Sequence, residues 1–201
     1  MELSNGCICC TVADDFIPTM NKLLNLPTVP EHIIIETSGL ALPKPLLKAF
    51  SWPDIKTKIT VDGVIAVADA ESVYRGQFAP DLAAINRQRE ADSSIDHDTP
   101  LSEVFEDQIT CADIILLSKV DLVSEKERGT AKDMILKLRK NVPIIDTING
   151  EIDNQLILGL DAKAEDDLME RPSHHDGFDD HEHDDFNTFI LSLGEIEELE
   201  K

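Results

Sequence analysis

Three of the four cysteines in this 201-residue chain stand within four consecutive positions, in the run Gly6-Cys7-Ile8-Cys9-Cys10-Thr11. Thiolates at i, i+2 and i+3 can converge on one point if the backbone turns tightly, which suits a borderline-soft ion such as Zn(II) or Co(II). A thiol redox centre is the other chemistry open to such a group, although Cys-x-Cys-Cys lacks the Cys-x-x-Cys spacing and surroundings of a thioredoxin-like site. Single free cysteines are commonly small buried hydrophobes. Clustering sets Cys7, Cys9 and Cys10 apart from that use, whereas Cys111, following Ile109, reads as core.

Several apolar runs could position such chemistry. His32-Ile33-Ile34-Ile35-Glu36 ends in an acid and meets Thr37-Ser38-Gly39; Val61 to Ala68 ends at Asp69; Ile114 to Leu117 runs into Ser118-Lys119-Val120-Asp121; Val142 to Asp146 is a weaker fourth. Strands that are apolar on both faces belong to a parallel sheet covered by helices. The intervening stretches supply helices at Asp14 to Leu26, Pro43 to Phe50, Pro80 to Arg89, Leu101 to Ile109 and Ser124 to Lys140. In the last, Met134, Ile135 and Leu138 recur at helical spacing, and Ser124 with Glu127 forms a capping-box pattern. Alternating strands and helices define an α/β fold with a doubly wound sheet, whose ligands sit beyond the carboxyl ends of the strands. The acidic strand termini point there.

A net charge of −22 disfavours a nucleic-acid backbone as partner, because phosphate binding takes clustered Lys and Arg. No apolar run approaches the roughly 20 residues of a membrane span, and the first residues carry no secretory pattern, so no membrane partner and a reducing cytoplasm are expected. The acidity is uneven. From Asp161 to Lys201 there are 15 acidic and 3 basic residues, net −12, against net −10 for the first 160. The expected organisation is a folded body over 1–160, an acidic His-rich linker over 161–185, and the start of a further domain over 186–201. His174, His175, His181 and His183 stand among carboxylates, where they either buffer metal ions as neutral imidazoles or do nothing in an acidic spacer. His32 and His97 read as structural or exposed.

Ser118-Lys119-Val120-Asp121 resembles the guanine-specificity motif of GTPases, usually Asn-Lys-x-Asp, in which the Asp accepts from guanine N1 and N2 and the Lys stem lies along the base. An acid there rejects adenine by leaving polar groups mispaired. A strand-ending Lys-x-Asp can also be a plain helix cap. Glu36-Thr37-Ser38-Gly39 resembles the Walker B and switch region of a GTPase group with Glu in place of Asp: the carboxylate holds Mg(II), and the Gly amide approaches the γ-phosphate with no Cβ in the way.

Taken together, Leu3 to Thr11, Glu36 to Ala41 and Ser118 to Leu122 resemble the CobW family of metallochaperone GTPases, relatives of HypB and UreG. The likeness extends through Pro43 to Phe50 and Ser94 to Gln108, and leans toward the cobalamin-biosynthesis members more than the zinc-handling ones. The resemblance implies a P-loop-NTPase-like fold and a GTPase that binds GTP and Mg(II). It implies capture of Co(II), or Zn(II) in the zinc-handling alternative, by Cys7, Cys9 and Cys10, with Cys9 and Cys10 the preferred ligands. Delivery would be to the cobalt-insertion (cobaltochelatase) machinery of cobalamin biosynthesis. Glu36 and Gly39 then fall in the catalytic region, Lys119 and Asp121 at the base, and Asn149, before Gly150, in a loop touching guanine.

The family's phosphate loop, G-x-x-G-x-G-K-[ST], does not occur in these 201 residues. The sheet is therefore expected to be incomplete and poorly stable alone, with weak GTP affinity and no hydrolysis, because that loop and Mg(II) position the phosphoryl group. A metal-binding module that hydrolyses nothing is the competing class of function.

Overall fold

The computed structural model describes residues 16–78, 100–174 and 176. Cys7, Cys9 and Cys10, the expected helix at 80–89, His97, His175, His181, His183 and the segment 186–201 lie outside the described residues.

Helix α1 (Ile17–Leu24) and helix α2 (Pro43–Phe50) each carry proline in the first turn, where the missing N–H costs no hydrogen bond. Met20 from α1 meets Leu46, Ala49 and Phe50 from α2, together with Phe16 and Ile55, in a buried apolar cluster. Phe16 and Phe50 stack edge to face at 5.1 Å.

Three parallel strands form the sheet: β1 (Ile65–Asp69), β2 (Ile114–Ser118) and β3 (Ile144–Asp146), in the order β1-β2-β3. The register sets Asp69 opposite Ser118 and Leu117 opposite Asp146, so the three strands end within one residue of each other. Between them run α3 (Ala70–Tyr74), α4 (Leu101–Cys111) and α5 (Glu125–Leu138). The second apolar cluster joins Ile115 and Leu117 of β2 to Ile109 of α4 and to Ala131 and Ile135 of α5. Cys111 is buried, as its core reading requires, but as the last residue of α4 rather than in a strand. Burial pushes its thiol pKa up. No helix among the described residues is long and apolar enough to cross a membrane.

Two sequence expectations are corrected. The run from His32 to Glu36 forms no strand. Ile33 packs on the α1/α2 cluster, yet Ile34 is 82% exposed, and no neighbouring strand pairs with the run among the described residues. An apolar run alone does not make a strand, because its N–H and C=O groups need a ladder partner. The double-sided burial expected of every strand holds for β2 but not for β1, where Val67 is 71% exposed.

The folded body also runs past residue 160. Asp62 accepts from the Gly159 and Asp161 amides at 2.7 and 2.9 Å, Glu165 accepts from Val61 N at 3.1 Å, and Ala164 is buried beside Leu47 and Cys111. The approach is close enough that a Cβ on Gly63 would sit 2.5 Å from Leu160 Cδ1. Arg171, 1% exposed, then donates to both Asp113 and Asp167, and to the Cys111 carbonyl. Burial works against its charge, but the two carboxylates more than restore it. An acidic composition suggests a solvated linker; long-range pairing of one buried cation with Asp113 and the Cys111 carbonyl docks 161–174 instead.

Candidate functional site

The parallel ladder delivers three polar groups to one rim. Asp69 ends β1, Ser118 ends β2 and Asp146 ends β3, and the loops that follow carry Lys119, Asp121 and Asn149. Ser118 Oγ donates to the Ala68 carbonyl at 3.1 Å, tying the end of β2 to that of β1.

Lys119 has φ 56° and ψ 34°, a left-handed conformation that costs a non-glycine residue about 1 kcal/mol. That kink turns the chain out of β2 into a single 3-10 turn, Val120–Leu122. The Lys119 ammonium reaches across to Asp69 Oδ2 at 2.5 Å. Asp69 also caps α3, its other oxygen accepting from the Glu71 and Ser72 amides at 3.0 Å each. Burial alone would raise the Asp69 carboxyl, but the bond from Lys119 and those two amides outweigh it and hold the group below the usual carboxylate range. The same bond raises Lys119. Asp121 is exposed beside Leu122, an apolar side chain also in solvent. An acceptor-only carboxylate next to an aliphatic Lys stem can read a flat, donor-edged base.

Beyond β3, Thr147 is buried and donates from its amide to the Leu117 carbonyl at 2.8 Å. The following turn closes with Glu151 N donating to Ile148 O at 3.0 Å, and its central residues, Asn149 and Gly150, have φ of 52° and 73°. Asn and Gly tolerate that conformation best. Asn149 is exposed past the same rim as Lys119 and Asp121. Asp146 is anchored by Lys132 at 2.8 Å and Arg128 at 3.5 Å, both from α5.

Glu36 is exposed in an irregular segment before a tight turn, in which Ala41 N donates to Ser38 O at 3.0 Å and Leu40 N to Ser38 Oγ at 3.2 Å. A Cβ built on Gly39 would meet nothing within 4 Å, so its backbone faces open space. Gln108 on α4 holds this turn from behind: its side-chain amide donates to the Gly39 and Ala41 carbonyls at 3.0 Å each. The sequence marks Asp69 as a strand-ending acid but gives no hint of its hold on Lys119, and Gln108 is not among the candidate site residues. The acid ending β1 was a usable signal for Asp69, since a strand-ending Asp that caps the next helix lies at the rim; nothing local marks Gln108.

Among the described residues no group of three His, Cys, Asp or Glu side chains could hold a metal ion. The expected ligands Cys7, Cys9 and Cys10 lie outside those residues. For Mg-GTP, the group implied by the resemblance, Asp121 offers an exposed acceptor at the rim. Glu36, an exposed carboxylate, and Gly39 belong to a separate segment, tied through Gln108 to the end of α4 that leads into the start of β2.

A parallel α/β sheet with this rim defines a nucleotide-binding class of architecture. Over residues 1–146 the chain matches the model of the CobW/HypB/UreG nucleotide-binding domain. It belongs to the CobW/HypB/UreG family. A protein from Sinorhizobium sp named Zinc chaperone CobW is 47% identical over 201 residues, covering 98% of this chain and 57% of the relative. One of the same name from Pseudomonas aeruginosa is 44% identical over 176 residues, covering 87% and 47%. The Zinc-regulated GTPase metalloprotein activator 1 of Schizosaccharomyces pombe is 32% identical over 165 residues, covering 81% and 35%. The chain thus spans about half the length of the two bacterial relatives. No solved structure matches it. The names of these relatives carry zinc, and the lean toward cobalamin-biosynthesis members finds no support in them.

Proposed function

We propose that this chain is the guanine-nucleotide and metal-handling part of a GTP-dependent zinc chaperone of the cytoplasm. One juxtaposition carries the reading: a left-handed Lys119, pinned to Asp69 at the end of the neighbouring strand, followed two residues on by an exposed Asp121. In this reading Asp121 accepts from the N1 and N2 hydrogens of guanine, which adenine lacks, while the Lys119 stem covers a face of the base and Asn149 closes the edge. Glu36 would hold the Mg(II) of Mg-GTP, directly or through water, and the Gly39 amide would serve the γ-phosphate. Bound Mg-GTP supplies a hydrolysable anhydride whose presence or loss distinguishes two states of the site. Cys7, Cys9 and Cys10, as thiolates, take Zn(II) as cargo, with Cys9 and Cys10 the principal ligands.

The names of the relatives support zinc as cargo and a GTPase as the class. Cobalt, with a cobaltochelatase as recipient, is the competing cargo, since both ions accept tetrahedral sulfur sites. One experiment addresses both. Zn(II) and Co(II) are titrated into the full-length gene product that carries this chain, with and without Mg-GTP, and again after Cys9→Ala. Zinc affinity that changes by tenfold or more with Mg-GTP and falls in Cys9→Ala supports the proposal. Affinity indifferent to nucleotide overturns the coupling, and nucleotide-dependent binding of cobalt alone transfers the cargo to cobalt.

A further inference from the structure

We infer that Asp69 is a specificity-determining positioning residue of the base site: by holding the Lys119 ammonium it keeps that cation off Asp121 and leaves the Asp121 carboxylate open to the donor edge of guanine. The inference rests on the reading of Lys119 and Asp121 given above. A carboxylate that is to accept from the N1 and N2 hydrogens of a base must not already be taken by a cation, and Lys119 stands only two residues away. A lysine stem is flexible and carries its ammonium to whichever carboxylate offers the better geometry. In this chain the ammonium goes to Asp69 Oδ2, at 2.5 Å.

Asp69 is the better partner because it is fixed. Its other oxygen accepts from the Glu71 and Ser72 amides at 3.0 Å each, its backbone lies in register with Ser118, and Ser118 Oγ ties the two strand ends together. Asp121, by contrast, is exposed on a single 3-10 turn. The further acid that favours the charged form of Lys119 is Glu71, and its carboxylate takes Arg75 of the same helix at 2.7 Å. If Asp69 loses its charge, Asp121 is the neighbouring acid in sequence to which the freed ammonium can turn. Paired with Asp69, Lys119 adds no net charge at the base edge, and Asp121 presents an undiluted acceptor. Guanine meets it with two N–H donors, whereas adenine presents an acceptor at N1. Discrimination between the two bases therefore depends on where the lysine charge is held, and a residue 50 positions earlier in the chain decides that.

Binding of fluorescent GDP and fluorescent ADP, both with Mg(II), to the full-length gene product at low and at high salt tests this. Asp69→Asn keeps the shape and an oxygen to cap α3 but removes the charge that holds Lys119. It is expected to weaken GDP by about tenfold, as hydrogen bonds to a charged acceptor are lost, while ADP changes by less than about twofold. Salt screens the attraction between the freed ammonium and Asp121, so the deficit in the GDP-to-ADP affinity ratio is expected to shrink at high salt. Asp69→Ser, which also caps, serves if Asp69→Asn fails to fold. A ratio that stays at its wild-type value in a folded variant overturns the inference, even if thermal stability falls. So does a deficit of the same size at both salt concentrations, which a displaced side chain would give and a captured charge would not. A wild-type protein that binds GDP and ADP alike overturns the underlying reading of the site, and the inference with it.

Discussion

Lys119 and Asp69 show how one pair of side chains can tie two strand ends and prepare a surface. Both are partly solvated, so the ion pair itself contributes less than about 1 kcal/mol. Its effect is positional. Because the Asp69 carboxyl is depressed in the folded chain, its contribution is present above the ordinary carboxylate range and is lost as pH falls through the lower folded value. Carbon-13 NMR of the carboxyl group should show Asp69 titrating below other aspartates, and Lys119→Ala should move it upward; an unmoved titration would mean the two amides alone set it. His174 shows the opposite sign. Its hydrogen bond with Glu106 raises the imidazole, so its contribution is complete below about pH 6.5 and fades as pH rises through the folded value. Proton NMR should place His174 above an ordinary histidine in the wild type, and Glu106→Gln should bring it down.

At the scale of elements, α5 is the most legible piece. Ser124 accepts from the Glu127 amide while the Glu127 carboxylate accepts from Ser124 N at 2.8 Å, the reciprocal cap that the Ser-x-x-Glu spacing announces. Ser124→Ala should cost about 1 kcal/mol in urea unfolding. Ile135, fully buried from the same helix against β2, should cost about 2–5 kcal/mol on truncation to Ala. If the two losses were equal, the helix would be held by its cap rather than by its apolar face. Helix α2 begins and ends where its sequence says, because proline opens it at Pro43 and its apolar residues recur on one face. The run from His32 to Glu36 misleads for a reason of scale: its composition is that of a buried strand, but strand formation is decided by a partner that local sequence does not name.

Across the whole molecule, the segment from Gly159 to His174 is bound to the sheet layer by Arg171, whose guanidinium spans Asp113 and Asp167. Lys44 adds a second clasp, donating to the Arg171 carbonyl and to Asp176 at 2.6 to 2.8 Å. Removing the buried cation leaves facing carboxylates, so Arg171→Ala should destabilise by about 3 kcal/mol or more and speed tryptic cleavage at Lys163. Unchanged cleavage would show that the backbone bonds to Val61 and Asp62 suffice. The parallel α/β class was legible in the sequence alone, and the candidate residues for a base, a magnesium ion and a soft metal were nominated there, because residue type and hydrophobic period are local properties. Tertiary structure alone decided that Asp69 secures Lys119, that Gln108 holds the turn at Gly39, and that an acidic stretch packs rather than floats. Each of these depends on groups 50 or more residues apart meeting at one place, and no local pattern encodes that meeting.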